Sequence, residues 1–113
     1  MTTILRKIER IMKMVRHLIL WKIKSEFEGE KKEEIKAGVK AGLESLMGKI
    51  PGLTKIHVQT EALASSNADV MLDSVFESEE ALKAYAIHPE HVAVADNNVR
   101  PFMEVRMCID YEE

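Results

Sequence analysis

Apolar residues alternate along 15–24, and that pattern predicts a strand. Val15, His17, Ile19, Trp21 and Ile23 share one face, with Leu18 and Leu20 on the other. A strand with apolar side chains on both faces is covered on both sides. Residues 25–30 form a polar connection, with Gly29 as its turn residue. Over 31–47 the period lengthens to that of a helix: Ile35, Val39, Leu43 and Leu46 make one stripe. Glu33 and Glu34 lie early in it, where the positive end of the helix dipole favours carboxylates. Gly38 and Gly42 each cost about 1 kcal/mol of helix propensity against alanine. They are therefore expected to permit close packing, here against the sheet. Gly48 and Pro51 end the helix.

Two further strands follow, at 53–61 and 69–76, separated by a loop of small residues at 62–68. In the first, Ile56 and Val58 face the core, while Lys55, His57 and Gln59 face outward. In the second, Val70, Leu72 and Phe76 oppose Asp69, Met71, Asp73 and Val75. Ser78 then begins a helix, with two glutamates in its first turn and Ala81, Leu82 and Tyr85 at helical spacing. Pro89 stops that helix, forces His88 out of the α region and opens a second short helix. The break holds Tyr85, His88 and His91 at three-residue spacings around a corner. Two readings of that trio stay open, a polar lining for a pocket or a set of packing and capping groups. A last strand is expected over about 100–111. Met103, Val105, Met107, Ile109 and Tyr111 share one of its faces, and Glu104, Arg106, Cys108 and Asp110 the other.

The order β-α-β-β-α-β predicts an α+β, ferredoxin-like fold, with helices on one face of a four-stranded antiparallel sheet. The first strand is apolar on both sides and the last carries a continuous apolar row. Two helices shelter one face only. The bare face would exceed the apolar patch that soluble monomers tolerate, so a two-fold homodimer, sheet against sheet, is expected.

Composition narrows the functional classes. The chain has 113 residues, enough for one domain, here 14–113 preceded by an extension at 1–13. In the extension Ile4, Ile8, Ile11 and Met12 recur at helical spacing among cations. It reads either as an amphipathic helix for a membrane surface or partner, or as a plain extension ahead of the domain. A net charge of −3, with acidic and basic residues intermixed, argues against a nucleic-acid partner. The longest apolar run, 18–21, is too short to span a membrane, and the charged N-terminus is unlike a secretory signal. The expected location is the cytoplasm. The single cysteine, Cys108, allows no internal disulfide and is expected as a small core or interface residue. The histidines show no nearby cysteine or clustered carboxylate in the sequence, so no transition-metal site is expected.

The runs VRHLILWKIK at 15–24, LMGKIPGL at 46–53 and FESEEALKAYAIHPEHVAVADNNVRPFMEVRMCIDYE at 76–112 resemble the stress-responsive α/β-barrel (Dabb) family. The resemblance spans nearly all of 14–113 and implies a dimeric α+β barrel. It implies a protein that binds a small apolar or carbonyl-containing molecule in a pocket between sheet and helices. A plant branch of the family includes olivetolic acid cyclase, which performs an aldol condensation. By that resemblance Tyr85 and His91 take the catalytic tyrosine and general-base positions, and His17 and His88 match pocket histidines. Trp21 and Val70 complete the expected ligand-binding set, with Val70 standing where the cyclase has a histidine. A non-catalytic stress or interaction protein is the other reading. No organic cofactor is expected. Plant members that hold a cation such as Mg²⁺ on main-chain carbonyls point to Met47, Ile50 and Leu53 here.

Overall fold

A computed structural model describes residues 13–113. The pattern read over the N-terminal extension falls, Lys13 apart, outside the described residues. The elements are β1 (Val15–Ile23), α1 (Gly29–Glu44), β2 (Leu53–Gln59), β3 (Val70–Phe76), α2 (Glu79–Ile87), α3 (Pro89–Val94) and β4 (Met103–Glu112). The four strands form one antiparallel sheet in the order β2-β3-β1-β4. This is the expected β-α-β-β-α-β arrangement, with the second helical unit split in two.

Every other residue of β1 is buried, from Val15 to Ile23, as the alternation requires. Ile35, Val39 and Leu43 of α1 pack on that face, joined by Leu46 and Ile50 from the turns after the helix. The α-helix ends at Glu44, three residues short of the expected 47, because tighter turns take over. Leu46 N–H donates to the Leu43 carbonyl at 3.1 Å and Lys49 N–H to the Leu46 carbonyl at 3.0 Å. Gly52 has φ +83°, and a Cβ there would sit 2.5 Å from the Ala81 Cβ, so glycine is required on both counts. The other close approach is Gly42. Its partner is not the sheet, as expected, but the end of α3 and the turn after it: a Cβ would meet Asn98 Nδ2 at 2.6 Å and Val94 Cγ1 at 2.9 Å. Asn98 Nδ2 donates to the Gly38 carbonyl at 2.9 Å. Gly42 thus lets the second helical unit lie against α1, whereas a Cβ on Gly38 would meet nothing within 4 Å, so the expected close packing at that position is absent.

Ser78 Oγ accepts from Ala81 N–H at 3.0 Å and caps α2. Pro89 breaks the chain as expected, with His88 extended at ψ 131°. After α3 the chain makes a π-helical turn over Ala95–Val99 and a 3₁₀ turn over Arg100–Phe102. Arg100 and Pro101 are therefore not in the last strand, which starts at Met103. Proline has no N–H to give a strand ladder, so it sits in the turn instead.

Two carboxylates tie the layers together. Asp69 Oδ2 accepts from Ile23 N–H at 2.8 Å, and Asp69 also pairs with Lys32 at 3.0 Å. Glu44 Oε2 accepts from Val58 N–H at 2.9 Å and from Lys40 Nζ at 2.8 Å. Burial alone would raise both pKa values. The hydrogen bonds and nearby lysines override it, and both carboxyls lie below their usual range. Their stabilisation is fully present above the unfolded carboxylate pKa, about 4, and is lost as pH falls through the depressed folded values. The urea midpoint is expected to fall between about pH 5 and pH 3, and to fall less in the Asp69→Asn, Glu44→Gln double variant. An identical fall in both proteins would remove these two groups from the account.

Candidate functional site

α1 and α2 lie over β1, β2 and β3 but stop short of β4. The side chains of β4 beyond Met103 are therefore exposed on both faces. The gap beneath them is a cavity of about 820 Å³ between β1, β4 and the α2–α3 corner. This lies within the usual range of small-molecule sites, about 300–1,000 Å³.

Tyr85 projects from α2 because the helical stripe turns it inward, and it is 2% exposed. Its ring packs on Phe76 with centroids 4.9 Å apart and stands edge-on to His17 at 6.1 Å. His91, in the first turn of α3, lies tilted over the same phenol ring with centroids 4.1 Å apart. The Tyr85 hydroxyl is buried and has no hydrogen-bond partner among the described residues. A buried phenol without a protein partner is a departure from normal packing, and such a group is met by ordered water or by a ligand. Burial pushes the Tyr85 pKa well up, against the opposing pull of Arg106, so the group stays a neutral donor.

His91 Nδ1 lies 3.2 Å from the Ala86 carbonyl oxygen. A carbonyl can only accept, so Nδ1 carries the hydrogen and Nε2 keeps its lone pair. Burial pushes the His91 pKa below the ordinary value. The Ala86 contact opposes that, while Arg100, His17 and Arg106 add to it. The imidazole is thus neutral at neutral pH, with one nitrogen free to take a proton.

His17 lies on the helix-facing side of β1, and its Nδ1 hydrogen-bonds Asp110 Oδ1 on β4. Cys108 Sγ sits 3.6 Å from the same nitrogen. Of the two expectations for Cys108, core or interface residue, the first fails: it is exposed beside the cavity, since no helix covers β4. The sequence offered the histidines no such company. Strand pairing supplies it, by setting His17 opposite Asp110 and Ile19 opposite Cys108.

His17, Trp21, Tyr85 and His91 therefore converge on one cavity. His88 does not line it: its Nδ1 accepts from Glu90 N–H at 3.1 Å and caps α3. Val70 pairs with Trp21 in register and is buried in the core. Met47, Ile50 and Leu53 lie in and after the turns that follow α1, and none lines the cavity. The Ile50 carbonyl already accepts from Leu53 N–H at 3.2 Å, so the turn uses one of those three oxygens itself. Arg106, Cys108 and Asp110 also line the cavity and were not anticipated. Their signal was in the sequence, a polar row on the face of the last strand that should have met helices.

On the opposite face of the sheet, Val105, Met107, Ile109 and Tyr111 are 44, 65, 60 and 43% exposed, with Leu20 at 44% beside them. This is the bare apolar face that the alternation predicted, except that Met103 leaves the row: a register shift between Lys22 and Ile23 pairs it with Ile23 and turns it to the core. Among the described residues no helix is long and apolar enough to cross a membrane.

Similar folds are known. A dimeric ferredoxin-like protein of unknown function from Bacteroides fragilis is 33% identical, with 88% of this chain and 96% of that one covered at a TM-score of 0.83. A dimeric ferredoxin-like protein of unknown function from Thermobifida fusca is 23% identical, covering 88% and 90%, at 0.73. The hydroxynitrile lyase of Passiflora edulis, 18% identical and covering 90% and 94% at 0.69, shares the fold. No curated protein matches the chain. The sequence profile of the stress responsive A/B barrel domain (Dabb) matches residues 15–113. This chain belongs to the stress responsive A/B barrel domain family.

Proposed function

We propose that the protein is a homodimer that binds a small carbonyl-containing molecule in the cavity beneath β4. Tyr85 would donate a hydrogen bond to the carbonyl oxygen, and His91 would take a proton from the adjacent carbon. The buried Tyr85 hydroxyl without a partner carries this reading, because a carbonyl oxygen is the acceptor it lacks. His91 supports it with a free Nε2 and a depressed pKa, the state a general base needs. As the proton leaves, negative charge grows on the oxygen, and the phenol's hydrogen bond strengthens. Arg106 on the same wall adds positive charge. An enolate formed this way is also the nucleophile of an intramolecular aldol condensation, the cyclase reaction. The dimer rests on the exposed apolar row and on the dimeric relatives.

A thermal-shift screen of carbonyl compounds on the purified dimer tests binding, since a ligand of the folded state raises stability by mass action. For a compound that binds, deuterium exchange at the carbon beside its carbonyl tests the chemistry. His91→Ala is expected to leave the dimer folded and to abolish that exchange. In the wild type the rate should be lost only as pH drops below the ordinary histidine value of about 6.5, because the base is already neutral above it. Exchange that continues unchanged in His91→Ala would refute the assignment of the base.

A further inference from the structure

We propose that His17, Cys108 and Asp110 form a three-donor site for a transition-metal ion of the Zn²⁺ type, on the cavity wall where β1 meets β4. One nitrogen, one sulfur and one oxygen atom from these side chains lie within 4.8 Å of one another. Cys108 Sγ is 3.6 Å from His17 Nδ1 and 3.5 Å from Asp110 Oδ1, and that oxygen hydrogen-bonds the same nitrogen. With bonds of about 2.3 Å to sulfur and about 2.0 Å to nitrogen or oxygen, a tetrahedral site has sulfur-to-donor edges of about 3.5 Å. The two sulfur edges fit as they stand, and the nitrogen–oxygen edge has only to open. Antiparallel pairing holds the three donors on one face: His17 and Asp110 are register partners, and Cys108 is two residues from Asp110. The donor set is borderline-soft, which favours Zn²⁺ over Mg²⁺ or Ca²⁺.

Three protein donors leave a fourth position for an outside ligand, the pattern of open rather than closed zinc sites. The Tyr85 hydroxyl is an independent sign of a ligand here. Tyr85 lines the same cavity, its ring stands edge-on to the His17 ring at 6.1 Å, and its hydroxyl has no partner among the described residues. Metal binding would replace the proton that His17 Nδ1 shares with Asp110. His17 would take the Nε2–H tautomer, and the Cys108 thiol would release one proton to solvent as its sulfur bonds the metal. The site shares the Tyr85 observation with the carbonyl reading above, but its three donors are other residues and its test needs no carbonyl ligand.

Cobalt(II) titration of the untagged full-length protein tests the site, because a thiolate ligand gives a charge-transfer band that oxygen and nitrogen donors do not. One cobalt per chain is expected, with that band and displacement by zinc. Cys108→Ser should remove the band and weaken zinc binding by more than the about 10–100-fold that loss of an outer-shell partner costs, and Asp110→Asn should weaken it while keeping the band. Both residues are exposed, and circular dichroism checks that the variants stay folded. Absence of cobalt binding, or a spectrum and affinity unchanged in Cys108→Ser, would overturn the proposal.

Discussion

Met107→Asp is expected to abolish the dimer seen by light scattering, leaving monomers or aggregates in its place. Met107 is the most exposed member of the apolar row on β4, and Val105, Ile109, Tyr111 and Leu20 surround it on the same face. Burying such side chains is worth about 1.5–3 kcal/mol each, and a row of four repeated by two-fold symmetry is a strong driving force for pairing. A carboxylate in the middle of that contact has no partner. Burying an unpaired ion costs at least several kcal/mol, and symmetry places two of them at the interface. The variant should therefore be monomeric or aggregated, while Met107→Leu should keep the wild-type mass. A Met107→Asp protein that stays dimeric at micromolar concentration, with its far-ultraviolet spectrum intact, would mean that the pair forms through some other surface.

Tyr85→Phe should make the empty protein more stable and a worse binder. A buried donor left without a partner costs about 1–3 kcal/mol, and phenylalanine removes it without changing the shape of the ring. The packing on Phe76 and His91 is retained. In a domain of this size a gain of about 1 kcal/mol raises Tm by about 4–8 °C. The same change deletes the donor that would meet a ligand carbonyl, so the ligand-induced shift should shrink as the unliganded Tm rises. Stability given up at a binding site commonly shows this opposition. A lower Tm in Tyr85→Phe would mean the hydroxyl already has a partner in solution, and the reading of the cavity would lose its main support.

Much of the fold was legible because its determinants are short-range. The alternation of β1, the stripe Ile35–Val39–Leu43, the Ser78 cap and the Pro89 break each act within a few residues. The site was legible in part. The corner singled out Tyr85, His88 and His91 together; only the family resemblance favoured Tyr85 and His91, since spacing alone did not distinguish His91, which lies against the phenol, from His88, which turns back to cap the next helix. The contact of Gly42 with Asn98 was assigned to the wrong neighbour, since a helical glycine shows that something comes close without showing what. The end of α1 and the start of β4 were misplaced by three residues, where tight turns compete with regular structure.

The amino-acid order alone determined the elements and the two-sided apolar sheet, because periodicity and caps are local and a side chain's face follows from its position in the repeat. Only the tertiary structure decided that helices leave β4 uncovered, and that His17 meets Asp110 and Cys108 across 93 and 91 residues of chain. Strand register joins groups with no short-range relation to one another, so the cavity and its chemistry exist only once the sheet has closed.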